Sequence, residues 1–370
     1  MTNWPDKTLG EVCEVARGTS ITRKETKEGL IPVVAGGIDV AYFHSVQNRP
    51  AGTITVSSSG ANAGFVNRWE IPIFASDCST VVTKEGGMVL GDYAFRFLQF
   101  KQFFINTELR RGAAQPHVYA KDIAAIEIPV PPLGEQKRIV ALLDAATARV
   151  TELTACYEQA RTHANNLFTS ALRDALESNP DWPVKTLGDI VCFESETARS
   201  EDLSSRDVYV GLENIASDGT LIGLGSVSAE TLKSNKARFT DKHILFGKLR
   251  PYLVKVVRPD FPGVCSTDIL PLEPTAELSR DFLYWYMRSP AVIERATEAS
   301  TGTTLPRVSP TTLKSFEISV PPLEEQKRIV ARLDLIRAKT SEMVAAYDSK
   351  LTAAKNLRQS ILESAFEGKL

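Results

Sequence analysis

The sequence predicts an α+β protein made of two globular modules, each followed by a long helix, and produced by an internal duplication. Three observations support this fold class. Blocks of sequence recur in the two halves of the chain. After the last block of each copy, apolar residues recur with the spacing of an amphipathic helix. Short apolar runs broken by turn residues fill the remainder. Recurrence at a fixed spacing is typical of repeated structural units.

Composition limits the classes of protein that the chain can belong to. The 370 residues include 43 basic and 45 acidic side chains, and 43% of the residues are hydrophobic. This is an ordinary globular profile of two or three domains, which excludes collagen, bulk disorder and a disulfide-dense scaffold. Because the net charge is only −2, the chain lacks the overall basic character typical of nucleic-acid binding, and any anion-binding surface must be local.

The sequence shows no targeting or metal-binding signal. Its first residues contain no apolar segment of the secretory type, and no apolar run approaches the roughly 20 residues that cross a bilayer. The five cysteines are scattered without a C-x-x-C pair, and the four histidines show no ligand spacing. We therefore expect a reduced cytoplasmic location, no membrane partner and no metal site.

The strongest signal is the internal repeat. The ends of the two copies match closely, whereas the residues between them hardly match, which favours a shared framework that carries two different recognition surfaces. The repeated motifs are W-P-x-K-T-L-G at 4–10 and 182–188, G-x3-P-x-V at 112–118 and 302–308, and V-P-P-L-x-E-Q-K-R-I-V-A at 130–141 and 320–331.

A long helix is predicted after each V-P-P-L motif. Prolines end the extended segment, and acidic residues follow where the helix dipole favours negative charge. Apolar residues then alternate in steps of four and three, the 3.5-residue period of a coiled coil. The predicted seam comprises Ile139, Leu143, Ala146, Val150, Leu153, Tyr157, Ala160, Ala164, Leu167 and Ala171, and then Ile329, Leu333, Ile336, Thr340, Met343, Tyr347, Lys350, Ala354, Leu357 and Ile361.

The length of these helices favours their pairing with each other. About 40 residues would extend roughly 60 Å, which exceeds the width of a small domain. The alternative is two amphipathic helices that each pack on their own module. Polar seam residues such as Thr340 and Lys350 can fix the register of a coiled coil. Periodicity alone leaves open whether the pair is parallel or antiparallel.

The segments 11–129 and 189–319 read as loop-rich α+β modules. Short β-branched runs bounded by turn residues predict strands, and two aromatic-rich stretches predict helices. The predicted strands are 31–34, 53–56, 71–74, 80–82, 243–246 and 252–257, and the predicted helices cover 93–106 and begin at 282. Each module is large enough to hold its own core.

Local clusters of charge identify candidate anion-binding residues. Residues 1–130 hold 13 basic and 13 acidic side chains, and residues 182–320 hold 16 and 18, so neither module is basic overall. Cations and a tyrosine nevertheless concentrate between Lys242 and Arg258, and a smaller cluster spans Arg110 to His117. Arginine and glutamine suit guanine and adenine edges, while lysine and serine suit phosphates.

The motifs of common active sites are absent from the sequence. It contains no phosphate-binding G-x4-G-K-[ST], no dinucleotide-type glycine loop, no N-P-P-[YF] and no H-E-x-x-H or G-x-S-x-G. We therefore predict that the chain is not itself an enzyme.

Two variable modules, each followed by V-P-P-L-x-E-Q-K-R-I-V-A and a long helix, resemble the specificity subunit of Type I restriction-modification systems. The resemblance covers essentially the whole chain, and the twofold P-P-L-x-E-Q block at a helix start is its most specific feature. The phrases K-L-R-P-Y-L at 248–253 and G-T-T-x-P at 302–306 also look like the family's. The first of these has no evident counterpart in the first half, as expected if the modules read different bases.

The resemblance implies an architecture and a set of partners. The modules would be target recognition domains that read the halves of a split DNA site, and the helices would form an antiparallel coiled coil with pseudo-twofold symmetry. The helices would space the half-sites and dock two methyltransferase subunits, with restriction subunits as further partners. S-adenosylmethionine, ATP and Mg would belong to those partners, so this chain would hold no cofactor.

These expectations assign domains and residues. The predicted domains are target recognition domains at 1–132 and 181–322 and spacer helices at 133–180 and 323–370. The predicted contacts to double-stranded DNA are Ser58, Ser59, Asn62, Arg68, Arg110, Arg111, Gln115, His117, Lys248, Arg250, Tyr252, Lys255, Thr303, Thr304 and Arg307. The alternatives are a stand-alone two-domain DNA-binding regulator, a non-catalytic interaction scaffold, and an enzyme whose active site leaves no sequence motif.

Overall fold

The protein, as a computed structural model, divides into two compact units. The first unit joins Met1–Glu158 to Ser349–Leu370, and the second is Gln159–Asp348. Each unit thus combines one α+β module with parts of both long helices. The boundaries predicted between the recognition domains and the spacer helices divide the chain differently, and they stay a prediction. The structure describes residues 4–112, 115–176, 181–193, 196–199, 203, 207–226 and 235–369.

The first unit contains two small sheets, a framework strand pair, and a large and a small hydrophobic cluster. Its strands are β1 Asp6–Thr8, β2 Cys13–Arg17, β3 Ile31–Val34, β4 Val40–His44, β5 Thr53–Ser57, β6 Val66–Trp69, β7 Phe74–Ala75, β8 Cys78–Thr83 and β9 Glu127–Pro129. The helices are α1 Leu9–Val12, α2 Gly91–Phe100, α3 Gln102–Thr107, α4 Ala120–Ala124 and α5 Leu133–Leu176. The sheets have the strand orders β2-β8-β5-β6 and β4-β3-β7, and β1 pairs with β9.

The second unit repeats this plan with a different smaller sheet. Its strands are β10 Val184–Thr186, β11 Val191–Cys192, β12 Thr197–Ala198, β13 Val208–Val210, β14 Gly225–Ser226, β15 Lys236–Phe239, β16 Ile244–Gly247, β17 Val256–Val257, β18 Gly263–Cys265, β19 Ile269–Pro274 and β20 Glu317–Ser319. The helices are α6 Leu187–Ile190, α7 Arg280–Met287, α8 Pro290–Glu298, α9 Pro310–Lys314 and α10 Leu323–Phe366. The order β11-β19-β16-β17 matches the four-stranded sheet of the first unit, β12-β15-β18-β13-β14 forms the other sheet, and β10 pairs with β20.

The two repeated end motifs lie side by side in each unit. The strand that follows Trp4 pairs antiparallel with the strand that precedes V-P-P-L, and the Val130 amide donates to the Pro5 carbonyl at 2.9 Å. The second unit forms the same pair, with the Val320 amide 2.9 Å from the Pro183 carbonyl. The repeat therefore retains a framework that closes the module at the base of each long helix.

The two long helices run antiparallel. In the second unit, Arg161 pairs with Asp348 at 2.9 Å, and the Arg337 guanidinium lies 5.1 Å from the Phe168 ring, so partner numbers fall on one helix as they rise on the other. In the first unit, the end of α10 enters the same core as the start of α5, where Phe366 stacks on Phe100. The α+β fold with an antiparallel helix pair is confirmed.

The buried stripe departs from the predicted seam at four residues, Lys350 and three apolar ones. Leu167, Met343 and Leu357 are 55%, 42% and 49% exposed, so their assignment to the seam was wrong. Near the end of α5 the buried residues are Ala164, Phe168 and Leu172, which follow each other in steps of four. Steps of four rotate the stripe away from a 3.5-residue seam and toward the core of the adjoining module.

The other seam residues, apart from Lys350, lie on the inward face. Fully or nearly fully buried are Ile139, Leu143, Val150, Ala164, Ile329, Leu333, Thr340 and Ala354, and half-buried are Ala146, Leu153, Tyr157, Ala160, Ala171, Ile336, Tyr347 and Ile361. Lys350 is exposed, and its ammonium lies 5.3 Å from the Tyr157 ring. The predicted seam is thus interrupted at Met343 and Lys350 in the middle of α10, and near the end of α5 the buried stripe turns toward the adjoining module.

Two predicted strands are shorter than the sequence indicates. Only Phe74 of the segment 71–74 enters a strand, and the segment 252–257 begins with a 3-10 turn at Pro251–Leu253 before β17. That turn lies between two residues in left-handed conformation, Arg250 and Val254, which prevents a continuous strand.

Candidate nucleic-acid interface

In the first unit, the loop after β5 lies against the loop that carries the G-x3-P-x-V motif. The Val118 amide donates to the Ser58 carbonyl at 3.0 Å, and the Gly60 amide donates to the Pro116 carbonyl at 3.1 Å. Arg111 and His117 exchange a pair of backbone hydrogen bonds at 2.9 and 2.7 Å. We call residues 58–60 with the described part of 111–118 the first loop pair.

The second unit forms the same contacts at the equivalent positions of the repeat. The Val308 amide donates to the Lys248 carbonyl at 3.1 Å, and the Arg250 amide donates to the Pro306 carbonyl at 2.8 Å. Thr301 and Arg307 exchange backbone hydrogen bonds at 3.0 and 2.9 Å. Residues 248–250 with 301–308 form the second loop pair.

This equivalence corrects one expectation from the sequence. The K-L-R-P-Y-L phrase does have a counterpart in the first half, namely S-S-G-A-N-A at 58–63. The two segments share no residue, so sequence comparison could not align them. Their common feature is the backbone hydrogen bonding of an otherwise unrelated loop.

An aspartate lies behind each loop pair. The Ser58 amide donates to the Asp77 carbonyl at 3.2 Å, and the Lys248 amide donates to the Asp268 carbonyl at 2.9 Å. The side chains then differ. In the first unit the Ser59 hydroxyl donates to the Asp77 carboxylate.

In the second unit the aspartate binds an arginine. Arg307 donates from Nε and Nη2 to the two oxygens of Asp268 at 2.8 and 3.1 Å. This hydrogen-bonded pairing lowers the pKa of Asp268 and raises the pKa of Arg307. Because two donors of the guanidinium are used in this fork-shaped contact, Arg307 orients the loop and is poorly placed to read a base.

The predicted residues of the first loop pair differ in exposure. Ser58 is buried, with its hydroxyl 3.5 Å from that of Ser79. Gln115 is exposed, and its backbone carbonyl lies 2.8 Å from Nδ1 of the half-buried His117. Gln115 and His117 therefore offer side chains to a ligand, whereas Ser58 supports the loop.

Three further predicted residues surround the first loop pair. Asn62 is exposed, and its carbonyl closes the turn by accepting from the Phe65 amide at 2.9 Å. Arg110 is half-buried, and Arg111 is exposed and lies 3.2 Å from the Asp122 carboxylate. The cluster that the sequence predicts around Arg110 is thus adjacent to the serine loop.

Besides Arg307, the second loop pair contains four predicted residues, and a fifth, Tyr252, follows it directly. Lys248 and Arg250 are half-buried, while Tyr252, Thr303 and Thr304 are exposed. The Thr304 carbonyl accepts from Nη2 of Arg250 at 3.2 Å. The structure thus joins the basic cluster to the glycine-threonine loop, although the two segments are distant in the sequence.

Two predicted cations are engaged inside the protein. Arg68 forms ion pairs with Asp92 and, at 3.5 Å, with Glu70. The ammonium of Lys255 donates to the Ile215 carbonyl. Each side chain would have to give up a partner before it could read a base, and contact of Arg68 and Lys255 with DNA stays a prediction.

Sequence reasoning missed the residues that attach each helix to its module. Gln136 and Gln326 are fully buried. The side-chain oxygen of Gln136 accepts from the backbone amide of Leu90 at 2.8 Å. Its side-chain nitrogen donates to the backbone carbonyls of Met88 and Pro131 at 2.7 and 2.8 Å. The available signal was the glutamine of the repeated E-Q-K-R block.

Gln326 repeats these bonds in the second unit. It accepts from the Ser279 amide at 2.7 Å and donates to the Glu277 and Pro321 carbonyls, both at 2.8 Å. A buried amide that satisfies three backbone groups is costly to replace, since each partner would lose its hydrogen bond. The repeated glutamine is thus part of the framework rather than of the ligand-binding surface.

Two other kinds of site are absent from the part of the chain that the structure describes. Within the described ranges, no cluster of three or more His, Cys, Asp or Glu side chains could hold a metal ion. Among the helices of those same ranges, none is both long and apolar enough to span a membrane.

Comparison with known proteins identifies the family of this chain. The family described as the Type I restriction modification DNA specificity domain matches residues 1–160 and again residues 179–352. The two matches together cover most of the chain, and each falls on one half of the repeat.

Individual specificity subunits are similar at low identity. The EcoDI subunit of Escherichia coli is 27% identical over 298 residues, covering 71% of this chain and 67% of its own length. The StySPI subunit of Salmonella potsdam is 24% identical, covering 71% and 62%, and the MjaVIII subunit of Methanocaldococcus jannaschii is 23% identical, covering 90% and 86%. The matched region thus spans about two thirds of the first two relatives.

Solved structures share the fold. A chain from a study of complex assembly and conformational transition of the type I R-M system superposes with a TM-score of 0.79 at 19% identity, covering 100% of this chain and 99% of that one. The HsdS subunit from Thermoanaerobacter tengcongensis gives 0.56 at 20% identity, covering 100% and 98%. The chain therefore belongs to the family of Type I restriction-modification specificity subunits and carries a DNA specificity domain in each half.

Proposed function

We propose that this chain recognises a bipartite DNA target for a Type I restriction-modification complex, with each unit reading one half-site through its loop pair. The observation that carries the proposal is the equivalence of the two loop pairs. The same backbone hydrogen bonds hold different side chains at equivalent positions of the repeat. A common frame with different side chains is what reading two different half-sites requires.

The chemistry of the exposed side chains suits the edges of base pairs. The first loop pair offers Gln115 and His117, and the second offers Arg250, Thr303 and Thr304. Glutamine matches adenine, arginine matches guanine, and threonine accepts or donates to either. The half-buried Lys248 suits a phosphate, which positions the protein without adding sequence information.

The helices supply the surface for two methyltransferase subunits. Leu133 and Leu323, at equivalent positions of α5 and α10, are 45% and 43% exposed. Apolar residues exposed at matching positions suit two copies of one partner protein. The near-neutral charge of the chain supports this arrangement, since partners that contribute phosphate contacts would strengthen a weak intrinsic affinity for DNA.

Catalysis belongs to the partners in this proposal. S-adenosylmethionine would bind the methyltransferase subunits, and ATP and Mg would serve a restriction subunit, so the chain contributes recognition and spacing. Each helix has 44 residues, which corresponds to about 66 Å of helix. We propose that the helix pair sets the number of unread base pairs between the half-sites.

Co-expression with the methyltransferase subunit from the neighbouring gene tests the proposal. The complex should co-purify, and sequencing of methylated DNA should show one asymmetric target of two short half-sites separated by a fixed gap. Insertion of one heptad in both helices should alter the gap or prevent assembly. Methylation of a continuous site, or an unchanged gap in the assembled insertion variant, would contradict the proposal.

The regulator alternative predicts a different result. It requires tight, sequence-specific binding by the isolated chain at physiological salt, whereas the proposed subunit should bind weakly until its partners are added. Titration of labelled target DNA with the chain alone and with the complex separates the two functions.

A further inference from the structure

The backbone of Arg250 has an unusual conformation. Its φ is +51° and its ψ is +65°. These angles lie in the left-handed region, where the backbone of residues other than glycine is strained. The equivalent residue of the first loop pair is Gly60, with φ of +78°. The first unit thus places at this position the residue that costs least, while the second places a large cationic one.

Several contacts hold Arg250 in this conformation. Its amide donates to the Pro306 carbonyl at 2.8 Å, and its carbonyl accepts from the Leu253 amide at 2.9 Å. On the side chain, Nη2 donates to the Thr304 carbonyl at 3.2 Å, and Nε is buried without a hydrogen-bond partner. The strained backbone and the contact of Nη2 with the Thr304 carbonyl fix the orientation of the guanidinium, which indicates a side chain that is held for a ligand.

Three other cations near this loop are already engaged, whereas Lys248 is left to contact a phosphate. Arg307 binds Asp268, Lys255 binds the Ile215 carbonyl, and Arg258 binds Asp281 at 2.7 Å. In the described part of the second unit, Arg250 forms no ion pair with a carboxylate, so the terminal donors that Thr304 leaves unused can serve an acceptor outside the chain. The exposed Tyr252 and Leu305 flank it with apolar surface.

We infer that Arg250 is the specificity-determining residue of the second unit and that it reads a guanine in the second half-site. The inference rests on the proposed function and deepens it. A guanidinium donates two parallel hydrogen bonds to O6 and N7 of guanine, which is the most common specific contact to that base. The loop holds the fork in advance, so less side-chain entropy is lost on binding.

The same comparison predicts what the first unit lacks. Gly60 has no side chain, and a Cβ built there would meet nothing within 4 Å. The first unit therefore has no equivalent guanine contact and reads through other residues, such as Gln115, whose equivalent in the second unit is Leu305. The two units thus differ at this position, because Arg250 reads a base and Gly60 does not.

The test uses the complete complex with wild-type chain, Arg250→Gly and Arg250→Lys. Methylation sequencing first finds the wild-type target, and competition binding then measures discrimination against each single-base change in both half-sites. We expect Arg250→Gly to lose discrimination at one guanine of the second half-site by roughly tenfold or more. Because glycine relieves the strain, we also expect the thermal midpoint of this variant to rise.

Arg250→Lys separates base reading from charge. Lysine keeps the positive charge but not the planar fork, so discrimination should fall at the same guanine while affinity for unrelated DNA stays near wild type. Lys314→Ala, which removes an exposed cation of the same unit outside the basic cluster, is the matched control and should leave discrimination unchanged at every position.

The outcomes distinguish this inference from the proposed function. Unchanged discrimination in both Arg250 variants, loss at a base other than guanine, or loss in the first half-site would overturn the inference, while bipartite methylation by the wild-type complex would still support the proposed function. A wild-type complex that methylates no bipartite site would overturn both.

Discussion

The two loop pairs share their main chains and differ in their side chains. In both units, two backbone hydrogen bonds join the loop after β5 or β16 to the G-x3-P-x-V loop. Two further backbone hydrogen bonds close the G-x3-P-x-V loop, at equivalent positions of the repeat. Serine, glycine and glutamine in the first unit stand where lysine, arginine and leucine stand in the second. The difference shows that the geometry of this fold is carried by the backbone, which leaves the side chains free to change.

The framework shows the opposite behaviour. Gln136 and Gln326 make the same three hydrogen bonds, and the strand pairs at the module ends have the same register. These contacts attach a long helix to each module, so a change of residue would disturb geometry rather than recognition. Similar residues therefore mark the framework, and dissimilar residues on similar backbone mark the surface that we propose for recognition.

The largest effect should come from the buried glutamines. Gln326→Leu removes hydrogen bonds from the Ser279 amide and two carbonyls, and should lower the stability of the second unit by about 3 kcal/mol. Gln136→Leu should cost the first unit a similar amount. Urea unfolding followed by tryptophan fluorescence measures both, with the exposed Lys327→Ala as a control that should change stability by less than about 0.5 kcal/mol.

The loop glycines should respond unequally. Gly112 and Gly302 have φ of +94° and +102°, but an added Cβ would lie 2.8 Å from the Gln115 carbonyl in the first unit and 3.2 Å from the Leu305 carbonyl in the second. We expect Gly112→Ala to cost about 2 kcal/mol and Gly302→Ala about 1 kcal/mol. Equal losses in thermal unfolding would show that the two loops are not held with different tightness.

Acid should affect the second loop pair through Asp268. Its pKa is lowered in the folded state by the hydrogen bond from Arg307, so the contact stabilises the fold above the ordinary carboxyl pKa and is lost as pH falls through the lower folded value. Asp268→Asn should therefore be less stable than wild type at pH 6. The difference in thermal midpoint between the two proteins should become smaller toward pH 3. Thermal midpoints across this range test it, and a difference that widens on acidification would contradict the assignment.

The smallest effects are expected where the seam prediction was wrong. Leu167→Ala and Leu357→Ala remove side chains that are about half exposed at equivalent positions, so each should change stability by less than about 0.5 kcal/mol. Leu333→Ala, in contrast, removes a fully buried side chain and should cost about 3 kcal/mol. A large loss at Leu167 would indicate a partner surface that covers it.

The framework was readable from sequence because its residues repeat. The V-P-P-L block and the heptad period predicted the start and extent of both helices, since proline, charge and apolar spacing act locally. The seam failed at Leu167 because packing on the module rotates the buried stripe near the end of α5. A period measured along one helix carries no information about that packing.

The recognition surface was only partly readable. Composition singled out the cluster around Arg250, but nothing in the sequence showed that Arg307 and Lys255 are engaged by Asp268 and the Ile215 carbonyl. The left-handed conformation of Arg250 was equally hidden, because arginine carries no preference for it. Such properties depend on contacts between residues that are distant in the sequence.

Exchange of one module tests the central claim most directly. Residues 11–129 should be replaced by the corresponding segment of another family member, and the methylated target of the resulting complex should be sequenced beside that of the wild type. The account predicts a new first half-site with the second half-site and the gap unchanged. A change in both half-sites, or in neither, would contradict the claim that two separate loop pairs read the two halves.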